Sequence, residues 1–388
     1  MKKIFIVVLL IFILTLYGCE IEQDIEQTIP TISKVSSLDK EDLAGQYITW
    51  YGRHQYADDM EYFYHTATGF QVSFTGRIID ITLSLTDKNN DIYFSLAKDN
   101  EALLNGEVLV LTDEQQTFRI TFDTYEDHQI ELVKRSEPED GITALVSLGT
   151  NGEFIQNENQ DQVPHFLLIG ASGISGHGAL GSAGQSRTTE NSSSLHSFGY
   201  LTAEKFRGTY EFVSNSGWGL AFGYNDKTGV DNINKAYDYI GIDANQDIVD
   251  VIYDHSVIPD IIIVNIGGND YTAVINRLSG FEKEEKITEF KNIVAEFIYK
   301  LREDAPNAHI FWTMTSGSLN GTAAASVFSL LDPEDQAFVH MVVIKGVGED
   351  GDPVGANNHC SYITHQKSAD ILAAAIEEFT QYRTNLTD

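Results

Sequence analysis

The spacing of the apolar residues changes near position 160, and that change limits the chain to a small set of folds. Before it, Phe70, Val72 and Phe74 alternate with Gln71, Ser73 and Thr75, the period of a half-buried strand. Ile79, Ile81, Leu83 and Leu85 resume the period after Gly76-Arg77. Phe118, Ile120 and Phe122 form a third run, and Ile130 with Leu132 a fourth. Turn clusters such as Asp87-Lys88-Asn89-Asn90-Asp91 separate the runs at hairpin-like intervals. Residues 43–155 therefore read as an all-β domain, better matched by a two-sheet antiparallel sandwich than by a barrel.

Beyond residue 160, short apolar runs alternate with helical patterns. Phe166-Leu167-Leu168-Ile169, Thr209 to Ser214, Asp260 to Ile266, His309 to Trp312 and Phe338 to Ile344 read as strands. Ile287, Phe290, Ile293, Val294, Phe297 and Leu301 fall at helical spacing, and Ile371, Leu372, Ala375, Ile376 and Phe379 line one face of a closing helix. The expectation over 160–388 is an α/β domain whose parallel sheet is covered on both sides. In such sheets ligands bind beyond the C-terminal ends of the strands. The loops after Ile169, Ser214, Ile266 and Ile344 are thus where chemistry should be sought.

Those loops carry a consistent set of residues. The first runs Gly170-Ala171-Ser172-Gly173-Ile174-Ser175-Gly176-His177-Gly178, the second Ser214-Asn215-Ser216-Gly217-Trp218-Gly219, and the third Gly267-Gly268-Asn269-Asp270. Asn357-Asn358-His359 stands just before the last helix. A serine flanked by glycines at a strand-to-helix turn can present its hydroxyl, because glycine tolerates the tight backbone. Two other readings compete. Gly176-His177-Gly178-Ala179-Leu180-Gly181 satisfies Gly-x-Gly-x-x-Gly, the dinucleotide fingerprint, but too far beyond Ile169 for a tight strand-to-helix turn. His177, His196 and His359 could on paper hold a metal, yet no His-Glu-x-x-His motif or cysteine pair accompanies them. No cofactor and no metal are expected.

The N-terminus and the charge bear on location and partners. Lys2 and Lys3 precede an apolar run from Ile4 to Leu16, which meets Tyr17-Gly18-Cys19. The run is shorter than the ~20 residues a spanning helix needs and reads as a signal peptide over 1–18. Leu16-Tyr17-Gly18-Cys19 resembles the bacterial lipobox, which implies lipidation of Cys19 and a membrane-anchored lipoprotein at the cell surface. Residues 19–42, rich in Glu, Gln, Asp, Ser and Thr, read as a flexible tether. With 25 Lys+Arg against 57 Asp+Glu, the net charge of −32 repels nucleic acid and anionic membrane surfaces and suits a neutral substrate. Two cysteines make no disulfide framework, and cleavage before Cys19 leaves Cys360 as the free thiol.

One serine, one glycine, one asparagine and one histidine on converging loops, in that order, resemble the SGNH hydrolases. The likeness is more specific: Gly170 to Gly178 is similar to the Gly-Asp-Ser-Ile-Thr-x-Gly-Tyr-Gly block of carbohydrate esterase family 2, and Gly267 to Asp270 to its Gly-Thr-Asn-Asp block. His359 and His365 fit the spacing of its last histidine segment. Trp50-Tyr51-Gly52-Arg53 and Leu132-Val133-Lys134-Arg135-Ser136-Glu137 resemble its first domain. The resemblance covers about 47 to 380. It implies a β jelly roll fused to a three-layer α/β/α SGNH domain, and removal of O-acetyl groups from polysaccharides such as xylan or glucomannan.

The resemblance implies roles as well. Ser172 would attack the acetyl carbonyl, with His359 as its base. Ser172, Gly217 and Asn269 would form the oxyanion hole, with Gly219 as the alternative to Gly217, and Trp218 could stack on a sugar. Ala171, Ile174, Gly268 and Cys360 depart from the family blocks, and Asn357 stands where the orienting aspartate would be. A Ser–His dyad with a backbone carbonyl orienting the histidine would suffice. The alternative is a carbohydrate-binding surface lipoprotein with impaired catalysis.

Overall fold

The runs read at 70–74 and 79–85 belong to one strand, Gly69–Thr86. The computed structural model describes residues 36–37, 46–86, 88–157, 163–223 and 232–384. The expected signal peptide, Cys19 and most of the expected tether lie outside these residues. Within the tether's expected span, Ser36–Ser37 is a short strand, β1, paired antiparallel with Thr150 and Gly149. It is followed by β2 (Ile48–Tyr51), β3 (His54–Ala57), β4 (Met60–Phe63), β5 (Gly69–Thr86) and β6 (Ile92–Lys98). Then come β7 (Glu107–Leu111), β8 (Gln115–Lys134), β9 (Ile142–Thr150) and β10 (Glu153–Ile155).

These ten strands form one continuous sheet rather than two separate ones. The reason is length. At 18 and 20 residues, β5 and β8 stay paired along nearly their whole course, and β8 absorbs both the third and the fourth apolar runs. β5 and β6, on either side of the expected turn cluster, pair with β8 and not with each other, so they form no hairpin. The pairing slips between Gly76 and Ile78. Asn151 Oδ1 there accepts the N–H groups of Arg77 and Ile78 at 2.9 and 3.0 Å, as a bulge requires. A Cβ at Gly76 would lie 2.9 Å from that oxygen. The sheet curls around Phe70, Val72, Phe74, Ile81, Leu96 and Ile130, giving the expected all-β jelly roll as a single curled sheet.

The second region has five parallel strands: β11 (His165–Gly170), β12 (Thr209–Ser214), β13 (Ile261–Asn265), β14 (His309–Thr315) and β15 (Val339–Ile344). Their order is β12-β11-β13-β14-β15. Side chains alternate between two cores. Leu167, Ile169, Ile262, Val264, Ile310 and Trp312 meet one face, with Phe290, Val294 and Phe297 of the helix Gly280–Asp304. Phe166, Leu168, Ile261, Ile263 and Phe311 meet the other. There they pack on α2 (Phe198–Lys205) and α5 (Tyr362–Phe379), where α1 is Ser172–Ser175, α3 is Gly280–Asp304 and α4 is Leu319–Phe328. The Ser197 and Ser361 hydroxyls cap α2 and α5.

Residues from Val35 onward pack as one compact unit. Tyr51 stacks on Tyr210 with ring centroids 5.4 Å apart, and Thr66 Oγ1 donates to Ser194 Oγ at 2.8 Å. The fully buried Arg53 donates from Nε to Glu211 at 2.8 Å, and from Nη1 to the carbonyls of Tyr237 and Tyr239 at 2.6 Å each. Replacing Arg53 with methionine strands the Glu211 carboxylate and should cost about 3–5 kcal/mol. Urea unfolding checks this. The Arg53→Met/Glu211→Gln pair should recover part of the loss, and a wild-type midpoint for the single variant would deny the pair any structural role.

Candidate active site

The sheet order reverses direction at β11, so the chain leaves to opposite sides beyond β11 and β13 and opens a crevice between them. Ser172 sits at its mouth. Ala171, with φ −110° and ψ −145°, ends the strand sharply, and α1 begins at the serine. The turn closes at Gly176, whose φ of +67° is left-handed and whose Cβ position lies 2.0 Å from the Ser193 carbonyl oxygen. The N–H of Ser172 falls in a first helical turn, where no intrahelical acceptor exists. Among the described residues the half-buried Ser172 Oγ makes no hydrogen bond. It lines a cleft of about 200 Å³ with Gly173, Asn265, Gly268, Asn269 and Thr313.

Asn269 reaches the same cleft from the loop after β13. One N–H of its amide donates to the carbonyl of Trp218 at 2.7 Å, leaving the second N–H available and tying this loop to the one after β12. Asp270 fixes that second loop. Its buried carboxylate accepts from the N–H groups of Leu220, Ala221 and Phe222 at 2.9, 2.7 and 2.8 Å. Burial still lifts the carboxyl to about 6 against the lowering effect of those donors. The two oxyanion candidates differ in setting. Gly217 is half-buried in a left-handed turn with φ +83°. Gly219 is packed away, its Cβ position 1.9 Å from the Phe222 carbonyl oxygen. Trp218 corrects the sequence reading: it is 1% exposed within the core beside α3, so its ring offers no face to a sugar.

His359 enters from the segment that precedes α5. Its Nδ1 donates to the backbone carbonyl of Asn357 at 2.9 Å, leaving Nε2 without a partner among the described residues. The orienting group is thus the main chain of Asn357. Its side chain, expected as the alternative orienter, instead directs Nδ2 to His177 Nε2 at 3.2 Å. Burial, and then His177 beside it, hold the His359 imidazole below its ordinary value. The serine and histidine loops are stitched together by Ala356 N–H to the Gly178 carbonyl (2.9 Å) and Tyr362 N–H to the Ala179 carbonyl (2.9 Å). No hydrogen bond joins Ser172 Oγ to His359, a contact that in ligand-free sites often forms only with substrate.

The sequence reading missed a buried cluster behind His359. Glu137, from the turn after β8, accepts from Ser216 N–H at 2.7 Å and from Ser216 Oγ at 2.8 Å, and lies 3.2 Å from His177 Nδ1. Burial alone would raise the Glu137 carboxyl. The hydrogen bond from His177, the neighbouring Arg187 and His177 charges, and the Ser216 hydroxyl bring it down to about 2. Glu137, Glu139 and His177 bring ligand atoms within 4.8 Å of one another. Arg187, which also pairs with both oxygens of Asp140, already supplies the positive charge there. The three-histidine set does not assemble, since His196 bonds Ser193 Oγ at 2.9 Å and packs on Tyr362. Gly176 to Gly181 lie in turns, with Gly178 and Gly181 pressed against Ala356, so the glycine run opens no helix for a dinucleotide. His365, buried on α5, accepts from Phe198 N–H and stacks on that ring.

Residues 50–157 match the carbohydrate esterase 2 N-terminal family. The whole fold is similar to a family two carbohydrate esterase from Cellvibrio japonicus, at TM-score 0.74 and 21% identity, covering 89% of this chain and 98% of that one. An acetyl xylan esterase from Butyrivibrio proteoclasticus gives TM-score 0.74 at 18% identity over the same shares. A family two esterase from Clostridium thermocellum, solved with cellohexaose, gives 0.71 at 22%, covering 85% and 98%. No curated protein sequence matches the chain.

Asp270→Asn turns an amide donor toward at least one of the three N–H groups now bound. It should lower stability by about 1–3 kcal/mol. A thermal midpoint equal to wild type would remove Asp270 as the clamp of this loop.

Proposed function

Because the chain belongs to carbohydrate esterase family 2 by its N-terminal domain and shares the fold of solved family members throughout, we propose that it is a serine esterase. Its substrates are O-acetyl groups on polysaccharides or oligosaccharides such as xylan or glucomannan. The observation that carries this reading is the His359 hydrogen bond to the Asn357 carbonyl, which leaves Nε2 as the basic nitrogen beside the serine-bearing loop. Ser172 Oγ attacks the acetyl carbonyl carbon while its proton passes to His359 Nε2. The tetrahedral oxyanion is met by the N–H groups of Ser172 and Gly217 and by the Asn269 amide. The half-buried setting of Gly217 supports it over Gly219. On collapse, the C–O bond to the sugar breaks and His359 returns the proton to the departing hydroxyl. Water then attacks the acetyl-serine with His359 again as base, releasing acetate and the free serine.

A cleft of about 200 Å³ suits an acetyl group with the glycan lying outside. A net charge of −32 favours a neutral glycan over an acidic one. The lipobox-like Leu16 to Cys19 supports attachment of the enzyme to the membrane through Cys19.

Purified protein lacking residues 1–34 should hydrolyse a chromogenic acetate ester and release acetate from acetylated xylan. Ser172→Ala should lower kcat by on the order of 10⁶-fold, with the fold retained by circular dichroism. Binding of xylan without any hydrolysis by the wild type would favour the impaired, carbohydrate-binding alternative.

The base must be neutral to accept the serine proton. With the His359 value depressed, the acid limb of kcat/KM should therefore lie below its ordinary pH of about 6.5. A limb above that value would contradict His359 as base. Treatment with EDTA should leave the rate unchanged, and activity lost to the chelator and restored by zinc would overturn the serine mechanism.

A further inference from the structure

The buried cluster behind His359 forms a run of hydrogen bonds that reaches the imidazole through the covalent frame of Asn357. The Ser216 hydroxyl donates to Glu137 Oε1 at 2.8 Å, because a carboxylate can only accept. The Ser216 oxygen then accepts from His177 Nδ1–H at 2.8 Å. That fixes the His177 tautomer and leaves its Nε2 lone pair to accept from Asn357 Nδ2–H at 3.2 Å. The Asn357 carbonyl, one residue's backbone away, accepts from His359 Nδ1–H at 2.9 Å. The His177 and His359 rings also lie against each other, with centroids 4.4 Å apart. His177 Nδ1–H also lies 3.2 Å from Glu137 Oε1, so Glu137 meets the ring both directly and through Ser216. The chain begins on the all-β region and ends on the His359 imidazole.

We propose that Glu137 and His177 are positioning residues for the Ser172–His359 pair, with the Glu137 carboxylate serving, at one imidazole's remove, the role that a third triad member would fill. This rests on the hydrolytic reading above. Neither residue touches the cleft. Their work is to fix the Asn357 backbone in its left-handed conformation, φ +53°, so that its carbonyl meets His359, and to supply negative charge as the imidazolium forms.

The groups facing His359 decide the sign of the test. His177 faces it from the loop after β11, and Glu137 from the turn after β8, with Arg187, Glu139 and Asp140 behind Glu137. His365 faces it from α5, and burial, then His359 and His196, push that imidazole down to about 3, so it is uncharged. Glu137 favours the His359 imidazolium, whereas His177, neutral in this tautomer, opposes it only when it is itself protonated.

The experiment measures kcat, KM and the pH profile of acetate-ester hydrolysis for wild type, Glu137→Gln, His177→Phe, Ser172→Ala and His359→Ala. Glu137→Gln and His177→Phe should each lower kcat by about tenfold or more with KM little changed, short of the 10²–10⁴ that general base catalysis contributes. The acid limb should move down in pH for Glu137→Gln, which loses the charge favouring the imidazolium. It should stay near the wild-type position for His177→Phe, which removes a ring that is neutral in this tautomer and keeps the Glu137 charge. A merely structural loosening would expose His359 and move both limbs up, so a limb that stays put or rises in Glu137→Gln overturns the proposal. If Glu137→Gln does not fold, His177→Phe carries the test, because it keeps a ring against His359 and leaves Glu137 paired with Arg187. Wild-type kcat in that folded variant likewise overturns it. Turnover retained by Ser172→Ala or His359→Ala would instead overturn the esterase assignment itself. Loss in those two with wild-type behaviour at Glu137 and His177 would remove the relay alone.

Discussion

Glu137 holds a charged carboxylate where water does not reach, its residue fully buried between the two regions of the fold. Stripping such a group of solvent costs several kcal/mol unless donors replace the water. All the donors from outside its own turn come from the α/β region: Ser216 N–H and hydroxyl, His177 and Arg187. The turn that carries Glu137 is held by its own capping box, in which Asp140 accepts the Glu137 N–H. Arg187 then pairs with Asp140 on the same turn. The all-β region must therefore dock against the loops after β11 and β12 in one register. Those loops bear Ser172 and Gly217, so the jelly roll is part of the site's foundation rather than an appended module.

The sheet supplies the other half of the geometry. Because β11 lies between β12 and β13, the loops carrying Ser172, Gly217 and Asn269 leave adjacent strands, and short bonds such as Asn269 to the Trp218 carbonyl can join them. His359 arrives from β15, at the far edge of the sheet, and cannot be placed by strand order alone. The segment from 345 to 361 crosses back and is pinned by main-chain bonds from Ala356 to Gly178 and from Asn357 to Gln185. Gly178 is needed there for space: a Cβ would lie 2.5 Å from the Ala356 carbonyl oxygen. The glycine run that imitates a nucleotide fingerprint is explained by this crossing.

What was legible in the sequence followed periodicity and local chemistry. Alternation at 70–74 and 79–85, helical spacing at 287–301 and the glycine-flanked Ser172 each report on a few neighbouring residues, and each has its counterpart in the structure. What was missed depends on distant pairing. Nothing local says that Phe118 and Leu132 share one strand, because a twenty-residue strand looks like two shorter ones when its exposed middle, 123–127, carries no inward apolar residue. Trp218 looked like a sugar platform because its neighbours are polar and small, yet the core that buries it comes from elements far along the chain. Glu137 gave the same difficulty. Its hydrogen-bond partners His177 and Ser216 lie 40 and 79 positions away. A buried acid beside Lys134, Arg135 and Asp140 reads from sequence as one more charge on a soluble surface.

Asn357 shows how a departure from a family pattern can be misjudged when only side chains are compared. A neutral amide in place of an aspartate suggests that the base has lost its electrostatic support. In the folded chain the position instead contributes its main chain, and the left-handed backbone that turns its carbonyl toward His359 is one that asparagine tolerates better than most residues. A carbonyl orients an imidazole well but carries only a partial charge, so in the proposed reaction the imidazolium would still need a full negative charge nearby. The side chain released from that duty is the one that meets His177, and His177 leads to Glu137. The substitution that removes a carboxylate from one side of His359 is thus the one that links the ring to a carboxylate on the other region of the fold.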